Sequence, residues 1–98
     1  MLVGFAIVPL FWAPWSAGWT GHQGVRAHFR GDYQSAVKWY QRSLRLGQDK
    51  AWCWSNLALA FDALGDQTRY QDAIRILREL DEKAASEVED KVTDSRRK

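Results

Sequence analysis

Apolar and polar positions divide this chain into two unlike parts. From Leu2 to Trp19 no side chain is charged, and every Lys, Arg, Asp and Glu lies from Arg26 onward. As a helix, that stretch would span about 27 Å, close to the ~30 Å of a bilayer's hydrocarbon core. Behind it, apolar residues recur at helical spacing and glycines punctuate them. Thr20-Gly21-His22-Gln23 has the form of a capping box and predicts a helix from there to the turn Gly31-Asp32. Ala36, Val37, Tyr40 and Leu44 form one face of a second helix, from Tyr33 to Leu46, which stops at Gly47. Asp49 is the expected N-cap of a third helix, Lys50 to Leu64, with Trp54, Leu57, Ala58, Phe61 and Leu64 on a face. After Gly65-Asp66, a second capping box, Thr68-Arg69-Tyr70-Gln71, predicts a fourth helix from about Arg69, with Tyr70, Ala73, Ile74, Leu77 and Leu80 inward. Beyond Leu80 only Val88 and Val92 stand out among Asp, Glu, Lys and Ala. This reads as a solvated helix and a frayed tail from Asp94 to Lys98.

The pattern predicts an all-α protein: an N-terminal transmembrane helix followed by antiparallel helix hairpins. The boundaries are 1–19 for the anchor, 20–80 for the helical body and 81–98 for the charged extension and disordered tail.

Charge sharpens the first part. Residues 20–50 carry six basic groups against two acidic ones, and residues 51–98 carry eight against ten. The basic half adjoins the uncharged stretch, and Arg26 and Arg30 are the first cations after it. The positive-inside bias then places the body on the cytoplasmic, matrix or stromal side of a bacterial or organellar inner membrane. Trp12, Trp15 and Trp19 recur at spacings of three and four, as an aromatic belt at the membrane interface would. Pro9 and Pro14 would bend such a helix, which membrane helices tolerate. Two other fates fit the same residues: a cleaved signal peptide, for which Ser16-Ala17-Gly18 is the best site, and a helix covered by protein.

The body resembles the tetratricopeptide repeat family. Gly31-Asp32-Tyr33-Gln34-Ser35-Ala36 with Tyr40 and Leu44 is similar to the second half of a repeat. Asp49 to Leu80 is similar to a whole one, through Trp54, Leu57, Ala58, Phe61, Gly65-Asp66, Ala73, Leu77 and Leu80. Ala36 and Ala73 lie 37 residues apart against the family's 34, which Gln67-Thr68-Arg69, read as an insertion in the turn, would explain. Residues 20–30 match poorly. The resemblance implies a right-handed α-solenoid fragment of one and a half to two repeats. It also implies a protein-binding groove lined by Val25, Phe29, Trp52, Ser55, Leu59 and Asp62. With Trp54 in the core position, Trp52 is expected to point elsewhere, as an anchor for a partner. The family's carboxylate clamp is incomplete: Asn56 matches, but Gly21 and Val25 stand where Lys and Asn belong.

Because about three repeats are needed for a continuous core, something must cover the open ends. The candidates are a protein partner in an integral-membrane complex, the lipid bilayer, a second copy of the chain, or the charged extension. The function implied is a non-catalytic, membrane-anchored interaction module, an accessory or scaffold subunit. The alternatives are the tail of a membrane glycosyltransferase or ligase carrying such repeats, and a secreted repeat module. No enzyme activity, cofactor or metal site is expected. His22 and His28 fall on different sides of a helix, and the lone Cys53 reads as a small buried side chain. A net charge of +2 gives no case for nucleic acid.

Overall fold

The computed structural model describes residues 16–97, and these form five helices with no strand among them. They are α1 (Ala17–Phe29), α2 (Tyr33–Arg45), α3 (Lys50–Ala63), α4 (Gln67–Leu80) and α5 (Glu82–Arg97). The all-α expectation is met. Among the described residues no helix is long and apolar enough to cross a membrane. Most of the expected anchor, with Trp12 and Trp15, lies outside the described residues.

Each helix is started by a side-chain oxygen that satisfies a free backbone N–H. Asp32, Asp49, Asp66 and Asp81 accept from Ser35, Trp52, Arg69 and Ala84 at 3.2, 3.0, 3.1 and 3.1 Å. Three ends close in the same way. Gly47 takes φ +98°, its N–H donates to the Leu44 carbonyl (3.2 Å), and Gln48 donates to that of Ser43 (3.0 Å). Gly31 and Gly65 repeat this pair of bonds at the ends of α1 and α3. The two Gly-Asp dipeptides therefore do two jobs at once: Gly ends one helix and Asp caps the next.

Two helix starts differ from the sequence reading. The N-cap of α1 is Ser16, in extended backbone, whose Oγ accepts from the Trp19 N–H at 3.1 Å. Thr20 is buried inside the helix, its hydroxyl donating to the Ser16 and Ala17 carbonyls. Ala17, Gly18 and Trp19 thus belong to the first turn of the body, and α1 starts after Ser16. Asp66, rather than Thr68, caps α4, so Gln67-Thr68-Arg69 form its first turn instead of an insertion in a loop.

The helices stack as two antiparallel hairpins. Contacts run in reverse register along α1 and α2: the Ser43 hydroxyl donates to the Ala17 carbonyl at 2.7 Å, Trp19 meets Trp39, and His28 meets Tyr33. α3 sits centrally, with Cys53, Leu57, Ala58, Ala60 and Phe61 buried and Trp52, Trp54 and Leu59 half-buried around its circumference. A helix apolar on all sides is what a central position demands. Ala36, Ala58 and Ala73 are fully buried where helices approach, and Tyr40, Leu57 and Leu77 fill the spaces between. Burying each large side chain stabilises the fold by roughly 1.5–3 kcal/mol.

α5 is not the solvated helix its charges suggest. Ala85, Val88 and Val92 are buried against α3 and α4, so the charged extension closes that end of the stack. The residues read as a frayed tail continue the helix to Arg97. Arg96 reaches Asp62 of α3 at 2.7 Å, and Arg78 bridges Glu82 and Glu89 at 2.9 and 2.6 Å.

Candidate interaction surface

α3 brings Trp52, Ser55, Leu59 and Asp62 onto one face, as their spacing of three, four and three requires. Both ends of that face are already engaged within the chain. At the start, the Trp52 ring is half-buried, edge-on to Tyr40 with centroids 5.7 Å apart. It also lies so near α1 that a Cβ on Gly21 would stand 3.1 Å from it. Trp52 and Trp54 are alike in being half-buried against the core, so Trp52 does not point away from it. At the far end, the Asp62 carboxylate accepts from Gln67 at 3.0 Å and from Arg96 at 2.7 Å. Between them, the Ser55 hydroxyl turns back to the Ala51 carbonyl (2.7 Å), and Leu59 is half-buried against the core. Asn56 likewise bonds the Trp52 carbonyl at 2.9 Å, a local role within the helix.

On α1, Gly21, Val25 and Phe29 share a face at intervals of four. Val25 is half-buried against the core, while Phe29, at the end of the helix, is 84% exposed. An aromatic ring left this open contributes little to the core.

A second cluster forms at the junction with the uncharged stretch. Trp19 meets Trp39 edge-on, with centroids 5.5 Å apart, and the Arg42 guanidinium lies over the Trp39 ring at 5.9 Å. Arg26, exposed on α1, and Arg30, its exposed C-cap, lie on the same side of that helix as Trp19, at intervals of seven and eleven. Sequence reading placed Trp19 with the anchor but gave Trp39 no role. The available signal was that Trp39 falls beside the core face of Ala36, Val37 and Tyr40.

Burial shifts Tyr40, Cys53 and His28, whereas hydrogen bonds come first for Asp32 and Arg78. Burial, and then the nearby Cys53, push the Tyr40 hydroxyl up to about 12. Burial also raises the Cys53 thiol, with the Ser43 hydroxyl opposing and Asp49 adding to the rise. His28, with a buried Nδ1 that lacks a partner among the described residues, is held below its ordinary value by desolvation. No group of three His, Cys, Asp or Glu among the described residues has metal-holding geometry. The remaining aspect of the surface is its relation to known proteins: no family model, curated protein or solved structure matches this chain.

Proposed function

We propose that this protein is a non-catalytic, membrane-anchored interaction module of the tetratricopeptide type, an accessory or scaffold subunit of a larger membrane complex. The observation that carries the reading is the asymmetry of the stack. One end is closed by α5 through Ala85, Val88 and Val92. The other, the α1–α2 hairpin, leaves Trp19 and Trp39 half-buried, paired edge-on next to the uncharged stretch. The uncharged stretch supplies the anchor, and the exposed Phe29 at the end of α1 supplies the contact with a protein partner. The stacking of two hairpins with matching Gly-Asp turns and buried Ala36, Ala58 and Ala73 supports the repeat assignment. The body lies on the cytoplasmic, matrix or stromal side, because its first cations, Arg26 and Arg30, follow the anchor directly.

The test has two arms. Membranes from cells expressing the chain are washed at alkaline pH and treated with protease from either side. The reading requires that the chain stay in the membrane, and its complete release into the wash would refute the anchor. With α1 starting after its cap Ser16, Leu2 to Trp15 would span about 21 Å as a helix. Protection of the N-terminus therefore decides between a full span and insertion from one side. For the partner arm, a photo-crosslinking amino acid at position 29 should join the chain to a protein in the same membrane. Crosslinking only to lipid or to nothing would refute a partner at Phe29.

A further inference from the structure

The structure assigns a second membrane contact to the body itself: we propose that the outer face of the α1–α2 hairpin docks on anionic phospholipid headgroups. Lys38, Arg42 and Arg45 would meet the phosphates, and Trp19 and Trp39 would sit at headgroup level. This rests on the membrane attachment proposed above and names the lipid class that the attached body recognises.

Four observations converge. First, Lys38, Arg42 and Arg45 are spaced by four and three along α2, are all exposed, and line one cleft of about 450 Å³ with Trp39. Second, Lys38, Arg42 and Arg45 take part in no ion pair among the described residues. The five ion pairs among the described residues all draw their carboxylates from Asp62, Asp66, Asp72, Glu82 and Glu89, on α3 to α5. Within α1 and α2 the cations outnumber the acids: Asp32, at the start of α2, feels Arg30 and Lys38, and the next acid is Asp49, the cap of α3. Residues 1–15 contain no carboxylate side chain, so they cannot neutralise the patch.

Third, the patch is in the right place. The Ser43–Ala17 hydrogen bond sets the C-terminal end of α2, with Arg42 and Arg45, beside the N-terminal end of α1, where the uncharged stretch joins. A body tethered at that point holds these cations close to the bilayer surface, within the ~8 Å over which charge acts at physiological salt. Fourth, the aromatic pair fits the same plane. Trp19 and Trp39 form one half-buried edge-on pair, with Arg42 above Trp39, and Trp and Arg together suit a boundary between hydrocarbon and phosphate. The acidic groups of Glu79, Glu82, Glu87 and Glu89 lie on α4 and α5, beyond the central α3, where an anionic surface would not meet them.

The experiment uses the full chain, with Cys53→Ala and Gln41→Cys to carry a nitroxide beside the patch. A second variant, Glu87→Cys, reports from α5. The proteins are reconstituted into bilayers of phosphatidylcholine alone or mixed with phosphatidylglycerol, and accessibility to a water-soluble nickel chelate is measured. The expected result is shielding at position 41 only in the mixed bilayer, with position 87 open throughout. Shielding should vanish in about 1 M NaCl, where the Debye length is ~3 Å. It should also vanish in the K38Q/R42Q/R45Q variant, whose docking equilibrium falls by roughly a hundredfold. Accessibility at position 41 in both bilayers overturns the proposal. Equal shielding in both also overturns it, since residues 1–15 or a second copy would then be the cover. Flotation separates the two readings. Failure to float with phosphatidylcholine vesicles, combined with salt-sensitive flotation with mixed ones, refutes the anchor and keeps the headgroup contact. Flotation with neither refutes both.

Discussion

Adding one methyl group to α1 should stabilise or destabilise this protein according to which glycine receives it. An Ala at position 18 meets nothing within 4 Å. It should therefore show only the intrinsic gain over Gly in a helix, up to about 1 kcal/mol. At position 24 the same methyl would lie 2.6 Å from Cε1 and 2.7 Å from Cδ1 of Tyr40. Relief to an ordinary carbon–carbon contact of about 3.5 Å requires a shift of about 0.9 Å. The ring has nowhere easy to go: Tyr40 is 1% exposed and braced edge-on by Trp52. Overpacking of this kind costs about 1–3 kcal/mol. Set against the propensity gain of up to about 1 kcal/mol, this leaves Gly24→Ala less stable than Gly18→Ala and net destabilising by up to about 2 kcal/mol. Gly21→Ala, whose methyl would stand 3.1 Å from Ser43 Oγ and from the Trp52 ring, should fall between the two. Thermal unfolding followed by far-ultraviolet circular dichroism reads all three, at about 4–8 °C per kcal/mol for a domain of this size. If Gly24→Ala raises the midpoint as much as Gly18→Ala does, the close seam between α1 and α2 is wrong.

Three further perturbations test the rest of the stack. Val88→Asp places a carboxylate where the side chain is 3% exposed and forfeits about 2 kcal/mol of burial. Amide exchange across α5 should become fast while α1 and α2 stay protected, and unchanged protection of α5 would contradict its docking. Asp66→Ala removes the cap whose Oδ1 accepts from Arg69 and should cost about 1 kcal/mol. Thr68→Ala should cost far less, and the reverse order would restore Thr68 as the cap. The Tyr40 hydroxyl titrates near 12 in the folded chain against 10.0 ordinarily. Its raised value means that the stability it contributes is complete below pH about 10 and is lost as pH rises toward about 12. Denaturant midpoints should fall across that window, and Tyr40→Phe should flatten the fall.

The sequence alone determined what depends on neighbours along the chain. Gly31-Asp32 and Gly65-Asp66 mark turns because only a positive φ and a short acceptor can end one helix and cap the next in two residues. The inward faces through Ala36, Tyr40, Leu57, Ala58, Phe61, Ala73 and Leu77 follow from a 3.6-residue period, and all seven are buried. The tertiary structure decided whatever depends on which surfaces meet. Thr20 has the local form of a cap, but it is buried, and Ser16 takes that role. Trp52 reads as an outward anchor until Gly21 opens space for its ring between α1 and Tyr40. The stripe Ala85, Val88 and Val92 is too sparse among charges to announce burial, yet three small side chains suffice once α3 and α4 supply the facing wall. Trp39 acquired its place only when the hairpin folded back and set it against Trp19. Periodicity and capping are local free energies written along the chain, whereas burial belongs to pairs of surfaces that the chain brings together only by folding.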